Sequence, residues 1–122
     1  MSKKESFLVN RLKSVGYAFK GAVYLFKTEA SIKTQVFCAI TVTIAGLYFD
    51  ISRTEWLFQI AFIGLVMSLE GINTAIEYMS DFIHPDRHET IGKIKDIAAG
   101  AVFIAAISAA LAAMVIYIPK IF

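Results

Sequence analysis

Between Glu70 and Asp81 the chain reads Glu-Gly-Ile-Asn-Thr-Ala-Ile-Glu-Tyr-Met-Ser-Asp, which spaces three carboxylates and one carboxamide at helical intervals. On a helix turning about 100° per residue, with Glu70 as origin, Asn73 falls near 300°, Glu77 near 340° and Asp81 near 20°. Glu70, Asn73, Glu77 and Asp81 therefore share one narrow stripe of a helix whose other sides are apolar. Ionisable groups at membrane depth are costly and mark functional sites by default. Glu70 stands about 21 Å along the helix from Trp56, at 1.5 Å per residue, where lipid headgroups begin. Glu77 and Asp81 lie further out, in the aqueous zone.

This gradient suits a reaction between a lipid and a soluble molecule. An acid at headgroup level reaches a lipid hydroxyl, and acids one and two turns further out reach a charged cosubstrate. Carboxylates with an amide oxygen suit Mg²⁺, which takes a few hard oxygens and completes its shell with phosphates and water. Lys95 and Asp96 stand at the start of a later apolar stretch, where Lys95 is a ready phosphate partner. Glu29 precedes the first apolar stretch and offers another metal ligand. Two other readings remain open from the residues alone. The stripe pairs with Lys93, Lys95 or Arg87 as a purely structural feature, or it forms a proton or cation path. His84 and His88 share a short loop but lack a two-His-plus-carboxylate spacing, so a dedicated zinc site is not expected.

The elements that must carry these residues are membrane spans. The chain has 122 residues, is 57% apolar and has a mean hydropathy of +0.65, above soluble composition. Three apolar stretches stand out. The first runs from Thr34 to Phe49 and reaches bilayer thickness once Ala30–Lys33 are added, with Lys33 snorkelling. The second starts at Trp56 and continues to about Phe82, apolar throughout its first half. The third runs from Ile97 to Ile118, is rich in alanine, and is expected to stop at Pro119. Cys38 is the only cysteine, which excludes an intramolecular disulfide and a Cys-rich metal site. A cleavable leader is not expected, since the first 33 residues scatter seven Lys/Arg and lack a long apolar run.

Three spans put the N-terminus and the Phe82–Asp96 connection on one side. That side holds ten Lys/Arg (Lys3, Lys4, Arg11, Lys13, Lys20, Lys27, Lys33, Arg87, Lys93 and Lys95), against Arg53 and Lys120 on the other. The positive-inside rule assigns the first side to the cytoplasm. Leu8, Leu12, Val15, Phe19, Val23 and Phe26 form a helical stripe flanked by Lys13, Lys20 and Lys27, the pattern of a helix lying on a membrane surface. Gly16 and Gly21 are the points at which it would break. Basic residues placed this way are explained by topology and anionic headgroups, which excludes nucleic-acid binding.

The string Glu70-x-x-Asn73-Thr74-Ala75-Ile76-Glu77, then Asp81, His88 and Lys95-Asp96-x-Ala98-x-Gly100-Ala101-Val102, resembles the prokaryotic diacylglycerol kinase family, which includes undecaprenol kinases. Gly16-Tyr17-x-x-Lys20-Gly21 and Glu29-Ala30 extend the likeness over nearly the whole chain. The resemblance implies an all-α membrane protein with three transmembrane helices and an N-terminal amphipathic surface helix, assembled as a homotrimer. The expected single domain covers 1–122, with a surface helix at about 5–27 and spans at about 30–49, 56–82 and 90–118. It would sit in the bacterial cytoplasmic (inner) membrane with its site facing the cytoplasm. It would transfer the γ-phosphate of ATP to a membrane lipid hydroxyl.

By the same resemblance Glu70 is the general base at the lipid, and Glu29 and Glu77 hold Mg²⁺. The nucleotide would meet Tyr17, Glu29, Asn73, Glu77, Asp86, His88, Lys95 and Asp96. The family uses neither a P-loop nor a kinase glycine-rich loop, and the chain has neither. Asn10 stands where some members have arginine and Ala18 where some have serine, which puts nucleotide or lipid contacts in question. Glu29-Ala30-Ser31-Ile32-Lys33 resembles the diacylglycerol branch, while Pro85 and Ala98-Ala99-Gly100 resemble the undecaprenol branch. Diacylglycerol is the expected acceptor and undecaprenol the alternative. A non-enzymatic ion conduit or assembly subunit is the alternative of another class.

Overall fold

A computed structural model describes residues 6–122. Lys3 and Lys4 of the charge asymmetry, and Glu5 where the N-terminal helix is expected to begin, lie outside them. The described residues form four helices: α1 (Phe7–Thr28), α2 (Ala30–Phe49), α3 (Arg53–Ile83) and α4 (Glu89–Ile121). The chain divides into two compact units, one ending at Ala30 and the other comprising Ser31–Phe122.

In the first unit, Ser6 caps α1 by accepting from the Val9 amide at 3.2 Å. The helix runs unbroken through Gly16 and Gly21, so the expected weak points do not interrupt it. All its residues remain exposed or half-exposed, including Leu8, Leu12, Val15 and Phe19.

In the second unit, α2, α3 and α4 are each long and apolar enough to cross a membrane. At 1.5 Å per residue α3 and α4 extend about 46 Å and 50 Å, well beyond a hydrocarbon core of roughly 30 Å. They form the principal helix pair. The α4 stripe that is buried consists of Ala98, Val102 and Ala105, with Ile116 further along. Small side chains let the backbones approach, and this makes room to bury polar residues on α3. Gln59, Glu70, Asn73, Thr74 and Ser80 are all buried there.

The α2–α3 connection is short because two motifs close it. Asp50 adopts φ 52°, a left-handed conformation that aspartate tolerates. The Ile51 amide donates to Gly46 O at 3.1 Å and the Asp50 amide to Leu47 O at 3.4 Å, a Schellman arrangement. Ser52 and Glu55 then form a capping box, each accepting from the other's amide, at 3.2 and 2.9 Å. Gly46 is buried because Trp56 lies directly over it: a Cβ there would come within 2.7 Å of the indole Cη2.

Near the same end, Gln59 interrupts the run expected to be apolar. Its Nε2 donates to Val42 O at 3.1 Å, and the Tyr117 hydroxyl donates to its Oε1 at 2.6 Å, so one buried amide ties α2, α3 and α4 together. Lys120 pairs with Glu55 at 2.9 Å beside it. Here α4 departs from the expected stop at Pro119, continuing to Ile121 with the proline in its last turn. A proline so close to the end removes a single intrahelical bond. The Phe122 amide still closes the turn on Ile118 O at 3.0 Å.

Replacing Gly46 by valine forces its side chain into the Trp56 ring. The expected cost is about 2 kcal/mol, read as a lowered Tm in detergent micelles. Gly92→Ala, whose Cβ meets nothing within 4 Å, is the control and leaves Tm unchanged or raised. Equal Tm values for Gly46→Val and the unsubstituted chain would contradict the close α2–α3 approach.

Candidate functional site

The carboxylate stripe of α3 lies in the half of the helix that ends at Ile83, and burial grades along it. Glu70 and Asn73 are each 8% exposed, Glu77 is half-buried and Asp81 is exposed. Glu70 forms no hydrogen bond or ion pair among the described residues, although it is buried. An ionisable group in such a place without a partner makes Glu70 a candidate for chemistry.

One turn on, Asn73 Nδ2 donates to Glu77 Oε1 at 3.1 Å. This bond orients both side chains and leaves Asn73 Oδ1 buried without a partner. The Asn73 amide oxygen and the remaining Glu77 oxygen make a pair of hard donors of the type Mg²⁺ accepts. No group of three His, Cys, Asp or Glu residues that could hold a metal occurs among the described residues. A divalent ion here would thus depend on phosphate and water oxygens to complete its shell, which is how Mg²⁺ is ordinarily bound beside nucleotides.

At the outer end of the stripe, Lys95 crosses from α4 and donates to Asp81 Oδ1. Of the three basic partners open to the stripe on sequence grounds, Lys95 is the one engaged. Lys93 faces Glu89 on its own helix at 3.8 Å, with both side chains largely exposed. Asp96, adjacent to Lys95, is exposed.

The loop between α3 and α4 is shaped by its two histidines. The His84 Nδ1 lies 2.7 Å from Asp86 O, and a carbonyl only accepts, so this nitrogen carries the proton. His88 is the N-cap of α4 and accepts from the Thr90 amide through Nδ1 at 3.1 Å. Its neutral form therefore carries the proton on Nε2. The two rings meet edge to face, 5.0 Å between centroids. The Asp86 side chain is exposed on the same loop.

In the N-terminal unit, Tyr17 is an exposed residue of α1. Glu29 is half-buried at the helix C-cap, where its amide donates to Leu25 O at 3.0 Å. Asn10, one of the positions that departs from the family pattern, buries its side-chain oxygen.

A cavity of about 320 Å³ lies between α2, α3 and α4, walled by Val42, Val66, Ala109 and Ala113 and bordered by Gln35 and Gln59. Sequence reading missed Gln59, although a glutamine inside an apolar run was the available signal. It also gave no role to Thr74 and Ser80, both of which are buried.

The profile described as prokaryotic diacylglycerol kinase matches residues 16–117. An undecaprenol kinase of Bacillus subtilis strain 168 is 34% identical over 121 residues, covering 98% of each chain. A diacylglycerol kinase of Haemophilus influenzae is 31% identical over 102 residues, 84% of this chain and 86% of that protein. A diacylglycerol kinase of Escherichia coli K12 is 31% identical over 98 residues, 80% of each.

Since Glu70 is buried without a partner, its replacement by leucine should stabilise the fold. The expected gain is about 1 kcal/mol, seen as a higher Tm in micelles. A lower Tm would show that Glu70 is held by contacts that contribute to the fold.

Proposed function

The chain belongs to the prokaryotic diacylglycerol kinase family, and from that membership we propose that it transfers the γ-phosphate of ATP to the hydroxyl of a membrane lipid. The observation that carries this reading is the buried, unpartnered Glu70 at the head of a stripe that continues through the Asn73–Glu77 hydrogen bond to the Lys95–Asp81 pair.

Glu70 takes the proton of the lipid hydroxyl as its oxygen bonds to the γ-phosphorus. The bond from that phosphorus to the bridging oxygen breaks, and ADP leaves with the electron pair. By the family resemblance Glu77 and Glu29 would each be a ligand of Mg²⁺, and that ion would supply neutralisation of phosphate charge. Asn73 keeps Glu77 oriented. Lys95 contributes a further positive charge at the phosphates, since phosphoryl transfer needs positioning and charge neutralisation above all. Asp86, His88 and Asp96 would contact the nucleotide, with the His88 Nε2–H a donor to its oxygen, and by the family resemblance Tyr17 would be a nucleotide contact as well.

The protein is a single multi-pass domain of the bacterial inner membrane, with the α3–α4 loop and N-terminus in the cytoplasm. The exposed Leu8, Leu12, Val15 and Phe19 of α1 suit a helix lying on the membrane surface beside Lys13, Lys20 and Lys27. The subunits assemble as a homotrimer. Large apolar side chains such as Phe37, Ile104 and Val115, exposed on the single chain, are available to lipid or to neighbouring subunits.

Diacylglycerol is the first acceptor, as in the Haemophilus influenzae and Escherichia coli relatives. Undecaprenol is the second, favoured by the full-length match to an undecaprenol kinase.

Purified protein in mixed micelles with Mg-ATP and either lipid should move labelled phosphate into one of them. Glu70→Gln should abolish the transfer, with a loss of about a hundredfold or more for a missing general base. Folded protein that phosphorylates neither lipid would sink both substrate assignments, and ion flux without ATP would favour a conduit.

A further inference from the structure

We infer that Asp81 is a positioning residue: it holds the Lys95 ammonium in place to meet the transferred phosphate. This deepens the reading of Lys95 as a phosphate partner and rests on it.

The pair joins two helices. Lys95 belongs to the second turn of α4, Asp81 lies two residues before the end of α3, and the ammonium donates to Asp81 Oδ1. Asp81 stands one turn beyond Glu77, about 6 Å along the axis. The pair therefore draws Lys95 onto the face of α3 that carries Glu77 one turn earlier.

Lysine needs such a guide. Its ammonium is a point charge on a flexible four-carbon stem, and it lacks the planar fork that pre-organises arginine. The side chain of Lys95 is 37% exposed and that of Asp81 58%, so neither is fixed by packing. The neighbouring charges do not substitute for Asp81. Glu89 faces Lys93, and Asp96 is exposed on α4. On α3 the Glu77 Oε1 is already bonded to Asn73.

The contact with Asp81 need not compete with phosphate. An ammonium has three N–H donors, so Asp81 can retain one while phosphate oxygens accept the others. A pair this exposed is weak and readjusts when a more highly charged partner arrives.

The test is a double-mutant cycle with the full-length protein in mixed micelles, varying ATP at saturating lipid. Asp81→Asn should lower kcat/KM for ATP about threefold to fivefold, the upper part of the range for an exposed ion pair. Asp81→Glu should recover most of that loss. Lys95→Gln should lose far more than Asp81→Asn, and adding Asp81→Asn to it should cause no further loss. In a second series that varies lipid at saturating ATP, KM for the lipid should stay constant in Asp81→Asn.

Asp81→Asn equal to the unsubstituted protein would overturn the inference, as would a loss that multiplies with that of Lys95→Gln. The charge swap, Asp81→Lys with Lys95→Asp, restores a pair without restoring the phosphate contact. Recovered activity in the swap would make the pair merely structural and also overturn the proposal. Full activity of Lys95→Gln would remove the phosphate role of Lys95 itself. That result is distinct from an impaired Lys95→Gln beside an unaffected Asp81→Asn, which refutes the role of Asp81 alone.

Discussion

The close packing of α3 on the small-residue stripe of α4 is the contact on which the rest of the second unit depends. Ala98, Val102 and Ala105 leave little bulk between the helices, so the polar face of α3 can be turned inward. Lipid offers no hydrophobic drive for helix association, because lipid tails are as apolar as leucine. Close van der Waals approach and interhelical hydrogen bonds have to supply it. Large side chains at Ala98 or Ala105 would separate the helices and expose Glu70, Asn73 and Thr74 to surroundings that cannot solvate them.

The two ends of this helix pair are built differently, and the difference suits their roles. Near Arg53 the polar groups are matched. Gln59 satisfies both ends of its amide with Val42 and Tyr117, Lys120 answers Glu55, and the capping box closes the first turn of α3. Near Ile83 the polar groups are only partly matched. Asn73 keeps one unpartnered oxygen, Glu70 has no partner among the described residues, and the Lys95–Asp81 pair is open to solvent. A fixed end and an under-satisfied end on one rigid helix are what a site needs when a charged ligand must complete its hydrogen bonding.

Burial also grades the acids of the stripe. All four polar residues of the stripe lie on one face, yet Glu70 is nearly enclosed while Asp81 is open. Carboxylates of one stripe therefore meet the protein interior at one end and solvent at the other. On the proposed reading, a lipid hydroxyl and a nucleotide phosphate would be served from a single helix that crosses the boundary between their two solvents.

Much of this was legible in the sequence. Hydropathy and length located three spans, and the helical period placed Glu70, Asn73, Glu77 and Asp81 on one face, because both signals depend only on local geometry. The alanine-rich third span announced close packing. The partner of the stripe was not legible: Arg87, Lys93 and Lys95 all follow it within one connection, and the one farthest in sequence is engaged. The rotation of α4 about its axis chose Lys95, and an alanine-rich helix records that rotation weakly. Gln59 was visible as a glutamine, but its bonds to Val42 and Tyr117 required helices far apart in sequence to meet. Pro119 read as a stop because local rules see the missing N–H and not the contacts around it. The sequence by itself determined which residues share a face and which segments can cross a bilayer, since those follow from period and length. Tertiary structure alone decided which of them touch, since contact depends on how closely and at what rotation two helices pack.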